Sequence, residues 1–169
     1  MKTSLKFLLV AAFLFAGASV SAQQKIGHIN SAEIVSAMPE TAEAEKSLQA
    51  FSAELQAQQN LLYNELTTKG NDYQKKVSNY SEAMRLQAEK ELMDIQERLQ
   101  QFTAGAQADI SKKEQELMAP LITKLNEAVE AVSKESSFSY IFDIQQIMYA
   151  DPSSSVDITP LVKTKLGIK

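Results

Sequence analysis

The sequence contains no cysteine, no tryptophan and one histidine, and it has few of the residues that interrupt helices and strands. The absence of cysteine excludes disulfide bonds and thiol catalysis. Four prolines and five glycines in 169 residues leave room for long regular elements with few turns. Because no disulfide can stabilise the fold, its stability has to come from packing or from the association of several chains.

The chain also lacks the residue groupings that enzymes and metal sites need. His28 is the single histidine, so a metal site with several histidine ligands is impossible. The glycines are isolated and form no phosphate-binding loop. Most carboxylates alternate with lysines, as they do on solvated helix surfaces. We therefore predict a protein that is not an enzyme and that uses no metal and no cofactor.

Residues 1–22 have the layout of a secretory signal peptide. Two lysines precede an apolar run over residues 7–16, and small residues follow it. About 12 apolar residues are too few to cross the roughly 30 Å hydrocarbon core of a membrane, which argues against an anchor. We predict cleavage between Ala22 and Gln23, with cleavage after Ala18 as the alternative.

The charge of the remaining chain argues against one class of partner. The leader holds two of the 17 basic residues, so cleavage would leave 15 basic residues against 21 acidic ones, a net charge of −6. Proteins that bind nucleic acid present a basic stripe instead. We therefore expect no nucleic-acid partner.

Two apolar stripes with helical spacing fill the middle of the chain. The first comprises Leu48, Phe51, Leu55, Leu62, Leu66, Tyr73, Val77 and Tyr80, with Gln58 and Gly70 in the gaps. The second comprises Leu92, Ile95, Leu99, Phe102, Ala106, Ile110, Leu117, Leu121, Leu125, Ala128 and Val132. Steps of about 3.6 residues predict two amphipathic helices.

A reversal between the stripes would make an antiparallel hairpin. Ser78, Asn79 and Ser81 are N-cap residue types, and Asn79 precedes Glu82 by three positions, as in a capping box. We predict the tip at about 78–82, and one continuous helix through this stretch is the alternative.

The two predicted helices, 40–77 and 82–119, form a projecting helical-hairpin domain that covers residues 39–119. Proline interrupts the hydrogen bonding of a helix, so we expect a kink or a new helix start at Pro120.

Short extended segments flank this helical middle. KIGHIN covers residues 25–30, and FSYIFD covers residues 138–143. As a strand, the second segment would place Phe138, Tyr140 and Phe142 on one face. Because a hairpin returns the chain to its starting point, the two segments can pair in one small sheet. Thr159 followed by Pro160 predicts the N-cap and first turn of a terminal helix, and Gly167 predicts its end. The predicted fold class is therefore α+β.

The β-containing body, residues 23–38 and 120–169, is too small to fold alone, since a core below about 70–80 residues stabilises a domain weakly. We expect oligomerisation through the sheet, with the aromatic face of residues 138–143 as the candidate interface. Packing of that face on the chain's own helices is the alternative. The candidate interface residues are Ile26, Ile29, Phe138, Tyr140 and Phe142.

Apolar side chains also lie off the predicted hairpin seam. They are Leu61, Tyr63, Met84, Leu86 and Met93. Exposed tyrosine and methionine suit adaptable binding, since methionine repacks easily around varied apolar surfaces. The alternatives are a broader seam that buries them, or scattered surface residues without a role.

Three segments in this order resemble the Skp/OmpH family of periplasmic chaperones. They are KIGHINSAEIVSAMPE at residues 25–40, the charged helical middle, and SYIFDIQQIMYADPSSSVDITPLV at residues 139–162. The last is the most specific, because a strand, a YADP turn at 149–152 and VDIT at 156–159 lead into a terminal helix. The resemblance covers nearly the whole chain beyond the leader.

The resemblance implies a jellyfish-like homotrimer in the periplasm, soluble after leader cleavage, with a body built from strands of three subunits. Three helical tentacles would surround a cavity that holds unfolded outer-membrane β-barrel proteins without ATP. The client-binding residues would be Tyr63, Tyr73, Tyr80, Met84, Leu86 and Met93. A structural coiled-coil spacer or scaffold of the cell envelope is the alternative from another class.

Charge is the point at which this chain departs from the family. The best-known members are strongly basic, whereas residues 69–91 here hold five basic and four acidic side chains. Contact with lipopolysaccharide or membrane is therefore left open. Enclosure by many weak apolar contacts does not need a large charge.

Overall fold

A long helical hairpin and a three-stranded sheet share the chain, whose residues 24–168 are described by a computed structural model. In order, the elements are strand β1 (Ile26–Ile29), helix α1 (Ser31–Ala37), helix α2 (Pro39–Lys76), a 3₁₀ turn (Val77–Asn79), helix α3 (Glu82–Ser136), strand β2 (Tyr140–Asp143), a second 3₁₀ turn (Ile144–Gln146), strand β3 (Ser155–Asp157) and helix α4 (Thr159–Lys165). This confirms the predicted α+β class. The predicted leader, residues 1–22, lies outside the described residues.

Strand β1 is the central strand of the sheet and runs parallel to β2 and β3. The hairpin is the crossover between β1 and β2, which is the long connection that parallel strands require. Ile26 pairs with Tyr140 and His28 with Phe142, so the predicted pairing of the two extended segments is confirmed. The third strand, β3, was not predicted from the sequence.

Helices α2 and α3 form the antiparallel hairpin. Pro39 opens α2, where its missing N–H leaves no hydrogen bond unmade. At the start of α3, Ser81 Oγ accepts a hydrogen bond from the Met84 N–H at 3.3 Å. Ser81 is therefore the cap of α3, and not Asn79 with Glu82.

The seam between the two helices contains the first predicted apolar stripe, with one exchange, and the earlier part of the second stripe. The last three residues of the second stripe, Leu125, Ala128 and Val132, lie in the hydrophobic core instead. Gln59, and not Gln58, faces α3, where its side-chain amide donates to Thr103 Oγ1 at 2.9 Å. A polar residue is tolerated at this position because its partner lies across the seam.

Helix α3 continues through Pro120 without a break, so the expectation of a new helix start at this residue was wrong. Proline removes one backbone hydrogen bond, but the following turns contain Leu121 and Leu125, which are buried in the molecule. Packing of this apolar side stabilises the helix across the proline. The single helix thereby links the hairpin directly to the body.

The hydrophobic core lies where β1, α1, α3 and α4 meet. Its buried residues are Ile29, Ile34, Leu125, Ala128, Val132, Phe138, Ile158 and Val162. The Phe138 ring lies close to Gly27, where an added Cβ would stand 3.1 Å from the ring carbon Cδ1. Glycine is needed at this position because the ring packs directly on the strand backbone.

The three aromatic residues of the 138–143 segment do not share one face, which corrects the sequence prediction. Ser137 adopts a left-handed conformation with φ 56° and ends α3. The chain turns there, so Phe138 precedes β2 and points into the core. Tyr140 and Phe142 lie on the opposite side of the sheet, where their rings stack with centroids 6.3 Å apart.

Helix α4 begins at Thr159. This residue was predicted as the N-cap, but it is the first helical residue. Asp157 Oδ1 accepts the hydrogen bond from the Thr159 N–H at 2.9 Å. Thr159 Oγ1 instead accepts from the Asn30 N–H at 3.0 Å and ties α4 to the end of β1. Pro160 lies in the first turn, and Gly167, with φ 73°, ends the helix as predicted.

Candidate functional site

The hairpin presents five large apolar side chains that its own seam does not cover. Leu61, Tyr63, Met84, Leu86 and Met93 are between 51% and 70% exposed. Because α2 and α3 contact each other along one narrow stripe each, residues one position off that stripe stay in contact with solvent. These side chains form the first candidate surface.

Two of the six predicted client-binding residues lie elsewhere in the hairpin. Tyr73 and Tyr80 are half-buried near the tip, with ring centroids 6.3 Å apart. The Tyr73 hydroxyl donates to a carboxylate oxygen of Glu89 across the seam. This hydrogen bond, with some burial, raises the pKa of the Tyr73 hydroxyl above its ordinary value. The pair therefore holds the tip together within the chain.

Ion pairs join the two helices along one side of the seam. Arg98 donates to both carboxylate oxygens of Glu65 at 3.1 Å, and Lys69 donates to Glu91 at 2.6 Å. The hydrogen bond to Glu91 raises the pKa of the Lys69 ammonium. Exposed pairs of this kind contribute little stability each. They do, however, place ionised groups of both signs along this side of the seam.

A shallow groove lies across the middle of the hairpin. It is lined by Gln59, Asn60, Tyr63, Leu99, Gln100, Thr103 and Ala104. The Gln56 amide donates to Gln59 Oε1 at 3.0 Å and to Asn60 Oδ1 at 3.3 Å, so neighbouring amides hold one another in place. The groove thus combines an aromatic ring and a leucine with uncharged hydrogen-bonding groups.

The second candidate surface is the outer face of the sheet. Tyr140 and Phe142 are 51% and 45% exposed, and Met148 and Tyr149 in the following loop are more exposed still. Ile26, Phe142 and Tyr149 line one depression, so the apolar surface is continuous from β1 to the loop. Patches of this kind mark interaction surfaces on soluble domains.

The five predicted interface residues divide between core and surface. Ile29 and Phe138 are buried in the core of their own chain, and Ile26 is half-buried. Tyr140 and Phe142 remain exposed. Met148 and Tyr149 were not among the predicted interface residues, although an apolar run directly after a strand was the available signal.

Polar groups at the sheet hydrogen-bond to one another and to the start of α4. His28 Nδ1 lies 2.8 Å from Ser155 Oγ, but the nearby Asp157 carboxylate accepts its hydrogen bonds from Thr159. Partial burial raises the pKa of Asp157, and the hydrogen bonds from Thr159 together with His28 outweigh this and hold the pKa below its ordinary value.

Within residues 24–168, no cluster of three or more histidine, aspartate or glutamate residues is arranged to hold a metal ion. Nor does any described helix have the length and apolar character needed to cross a membrane.

Comparison with known proteins gives a consistent result. The sequence model of the family described as "Outer membrane protein (OmpH-like)" matches residues 25–166. The protein named "Chaperone protein Skp" from Yersinia enterocolitica is 25% identical over 156 residues, which is 90% of this chain and 92% of that protein. The crystal structure of a putative outer membrane chaperone (OmpH-like) from Caulobacter crescentus CB15 has the same fold, with a TM-score of 0.73 at 18% identity, covering 86% of this chain and 85% of that one.

Proposed function

Because the chain belongs to the OmpH-like family, we propose that it is an ATP-independent holdase chaperone for unfolded outer-membrane β-barrel proteins. The observation that carries the proposal is the long hairpin with large apolar side chains left exposed beside its seam. Each such side chain contributes a weak contact, and many weak contacts together retain a client without fixing its conformation.

The proposed working form is a homotrimer joined through the outer face of the sheet. Tyr140, Phe142, Met148 and Tyr149 supply an apolar surface on a body too small to be stable alone. Covering this surface with neighbouring subunits would stabilise the body and place three hairpins around one cavity. Client segments would then contact side chains from several hairpins at once.

The proposed location is the periplasm, after removal of residues 1–22. An apolar run following two lysines supports export, and cleavage is proposed between Ala22 and Gln23. Action without ATP fits this location, and the isolated glycines of the sequence offer no phosphate-binding loop.

Native mass spectrometry tests the proposal directly. The purified protein is measured alone, and then after a urea-unfolded outer-membrane β-barrel protein has been diluted into it. We expect a species of three times the chain mass that gains one client per trimer. A monomer or dimer that ignores the client would contradict the proposal and favour a structural spacer or scaffold.

A further inference from the structure

The two sides of the hairpin differ sharply in charge. Successive helical residues are about 100° apart, so residues just before and just after a seam position leave the helix on opposite sides. Glu65, Lys69, Glu91 and Arg98 each directly precede a seam residue, and they pair across the seam on one side. Tyr63 directly follows the seam residue Leu62 and lies on the other side.

The side that follows the seam is almost uncharged, and we name it the amide face. Along α2 it consists of Gln56, Asn60, Tyr63, Thr67, Asn71 and Gln74. Along α3 it consists of Glu89, Met93, Gln96, Gln100, Thr103 and Gln107. Glu89 is its one charged residue, and it accepts the hydrogen bond from Tyr73. Seven of the twelve corresponding residues on the opposite side, the charged face, are ionisable.

We propose that the groove of the amide face around Tyr63 is the docking site for an extended, uncharged segment of an unfolded membrane β-strand. This inference rests on the proposed holdase function and specifies which side of each hairpin performs it. Such strands run for about 10 residues in which apolar side chains alternate with others. Their apolar side chains fit against Tyr63 and Leu99, which line the groove.

Hydrogen bonding favours the same face. An unfolded segment carries backbone N–H and C=O groups without partners. Asn60 and Gln100 line the groove, and each amide can both donate and accept. On the charged face the same segment would have to displace water from the Glu65–Arg98 and Lys69–Glu91 pairs, which costs desolvation free energy without a compensating partner.

A helix from a second copy of the chain does not fit this face. Helix pairing needs apolar residues repeated at a spacing of seven positions. On α3, positions 93, 100 and 107 hold Met93, Gln100 and Gln107, so the repeat stops after one residue. Tyr63 on α2 is preceded by Gln56 at the same spacing. A single aromatic side chain among amides suits an extended, exchanging segment.

The absence of cysteine permits a direct test. The variants Tyr63→Cys and Leu61→Cys place one photoreactive label on either side of the seam, two residues apart, at positions that are 59% and 70% exposed. Each labelled full-length protein is loaded with a urea-unfolded outer-membrane β-barrel protein and illuminated. We expect the cross-linking yield at position 63 to exceed that at position 61 by about threefold or more.

Unlabelled variants provide an independent readout. Tyr63→Ser should weaken client binding about threefold to tenfold, and Tyr63→Phe should retain it. Leu61→Ser removes only one of the weak apolar contacts, on the charged face, and should weaken binding less than about twofold. If the wild-type protein binds the client but the two labelled positions cross-link equally and the two serine variants bind with equal affinity, the docking site is overturned. The proposed holdase function would remain intact in that case. Wild-type protein that binds no client would overturn both proposals.

Discussion

At the scale of single residues, one carboxylate joins the sheet to the terminal helix. Asp157 ends β3 and accepts the hydrogen bond from the Thr159 N–H at the start of α4. Thr159 in turn accepts from the Asn30 N–H at the end of β1. Three elements therefore meet through two short contacts, and a change at Asp157 affects the whole body.

We predict that Asp157→Ala lowers the free energy of unfolding by about 1 kcal/mol at neutral pH, because the Thr159 N–H at the start of α4 loses its hydrogen-bond acceptor. The lowered pKa means that the folded state favours the ionised carboxylate. This contribution is fully present above the ordinary pKa of 3.8 and is lost as the pH falls through the lower folded value. Urea unfolding at constant protein concentration should therefore show a difference from wild type that fades in acid.

Asp157→Asn is the matched control for this prediction. Its amide oxygen can still accept from the Thr159 N–H, so most of the stability at neutral pH should remain. Equal stability of Asp157→Ala and wild type at neutral pH would show that the hydrogen bond between Asp157 and the Thr159 N–H contributes nothing.

At the scale of elements, the hairpin is long but weakly held along its outer half. Its seam there contains Gly70 and Gln59 among half-buried apolar residues, and exposed ion pairs supply further contacts between the helices. Glycine inside a helix costs conformational entropy on folding. We expect the outer half of the hairpin to bend without loss of the body, which would suit the proposed role in holding clients of different sizes.

We predict that Gly70→Ala stabilises the hairpin by about 1 kcal/mol, since alanine is the better helix former and nothing lies within 4 Å of the added Cβ. Hydrogen exchange of α2 and urea unfolding followed by circular dichroism would measure the gain. Gly27→Ala is the contrasting variant, because its Cβ would stand 3.1 Å from the Phe138 ring and should destabilise the body. A destabilised Gly70→Ala variant would mean that the glycine relieves strain in the hairpin.

At the scale of the whole molecule, the proposed trimer depends on the outer face of the sheet. Replacing both Tyr140 and Phe142 by serine removes the stacked ring pair at the centre of the exposed apolar surface. Neither side chain is buried in its own chain's core, and most helical residues lie in the two long helices, so most of the helical content should be retained. We predict that native mass spectrometry shows loss of the trimer in favour of monomer.

Met84→Ser serves as the control for assembly, because it removes an equally exposed apolar side chain at the far end of the hairpin. The trimer should persist in this variant. A Tyr140→Ser/Phe142→Ser protein that remains trimeric would exclude the sheet face as the subunit interface.

Periodicity in the sequence was sufficient to predict the two long helices of the hairpin, and the return of the chain then predicted the pairing of the two strands. Leu62, Leu66, Leu92 and Leu99 recur at helical spacing, and a helix that buries one side must place such residues on it. The strand pairing followed from the return of the chain. These features depend on local pattern and chain connectivity, which can be recognised in a single sequence.

Other features were decided only by contacts between distant residues. Phe138 turns into the core because Gly27, more than a hundred positions earlier, leaves space for its ring. Pro120 stays within a helix because the core buries the turns after it, and β3 becomes a strand because β1 offers a free edge. The sequence by itself determined two long amphipathic helical segments on either side of residues 78–82, because their apolar residues recur at helical spacing. The tertiary structure alone decided that Phe138 is covered while Tyr140 and Phe142 stay exposed, because exposure in the sheet depends on what the rest of the chain covers.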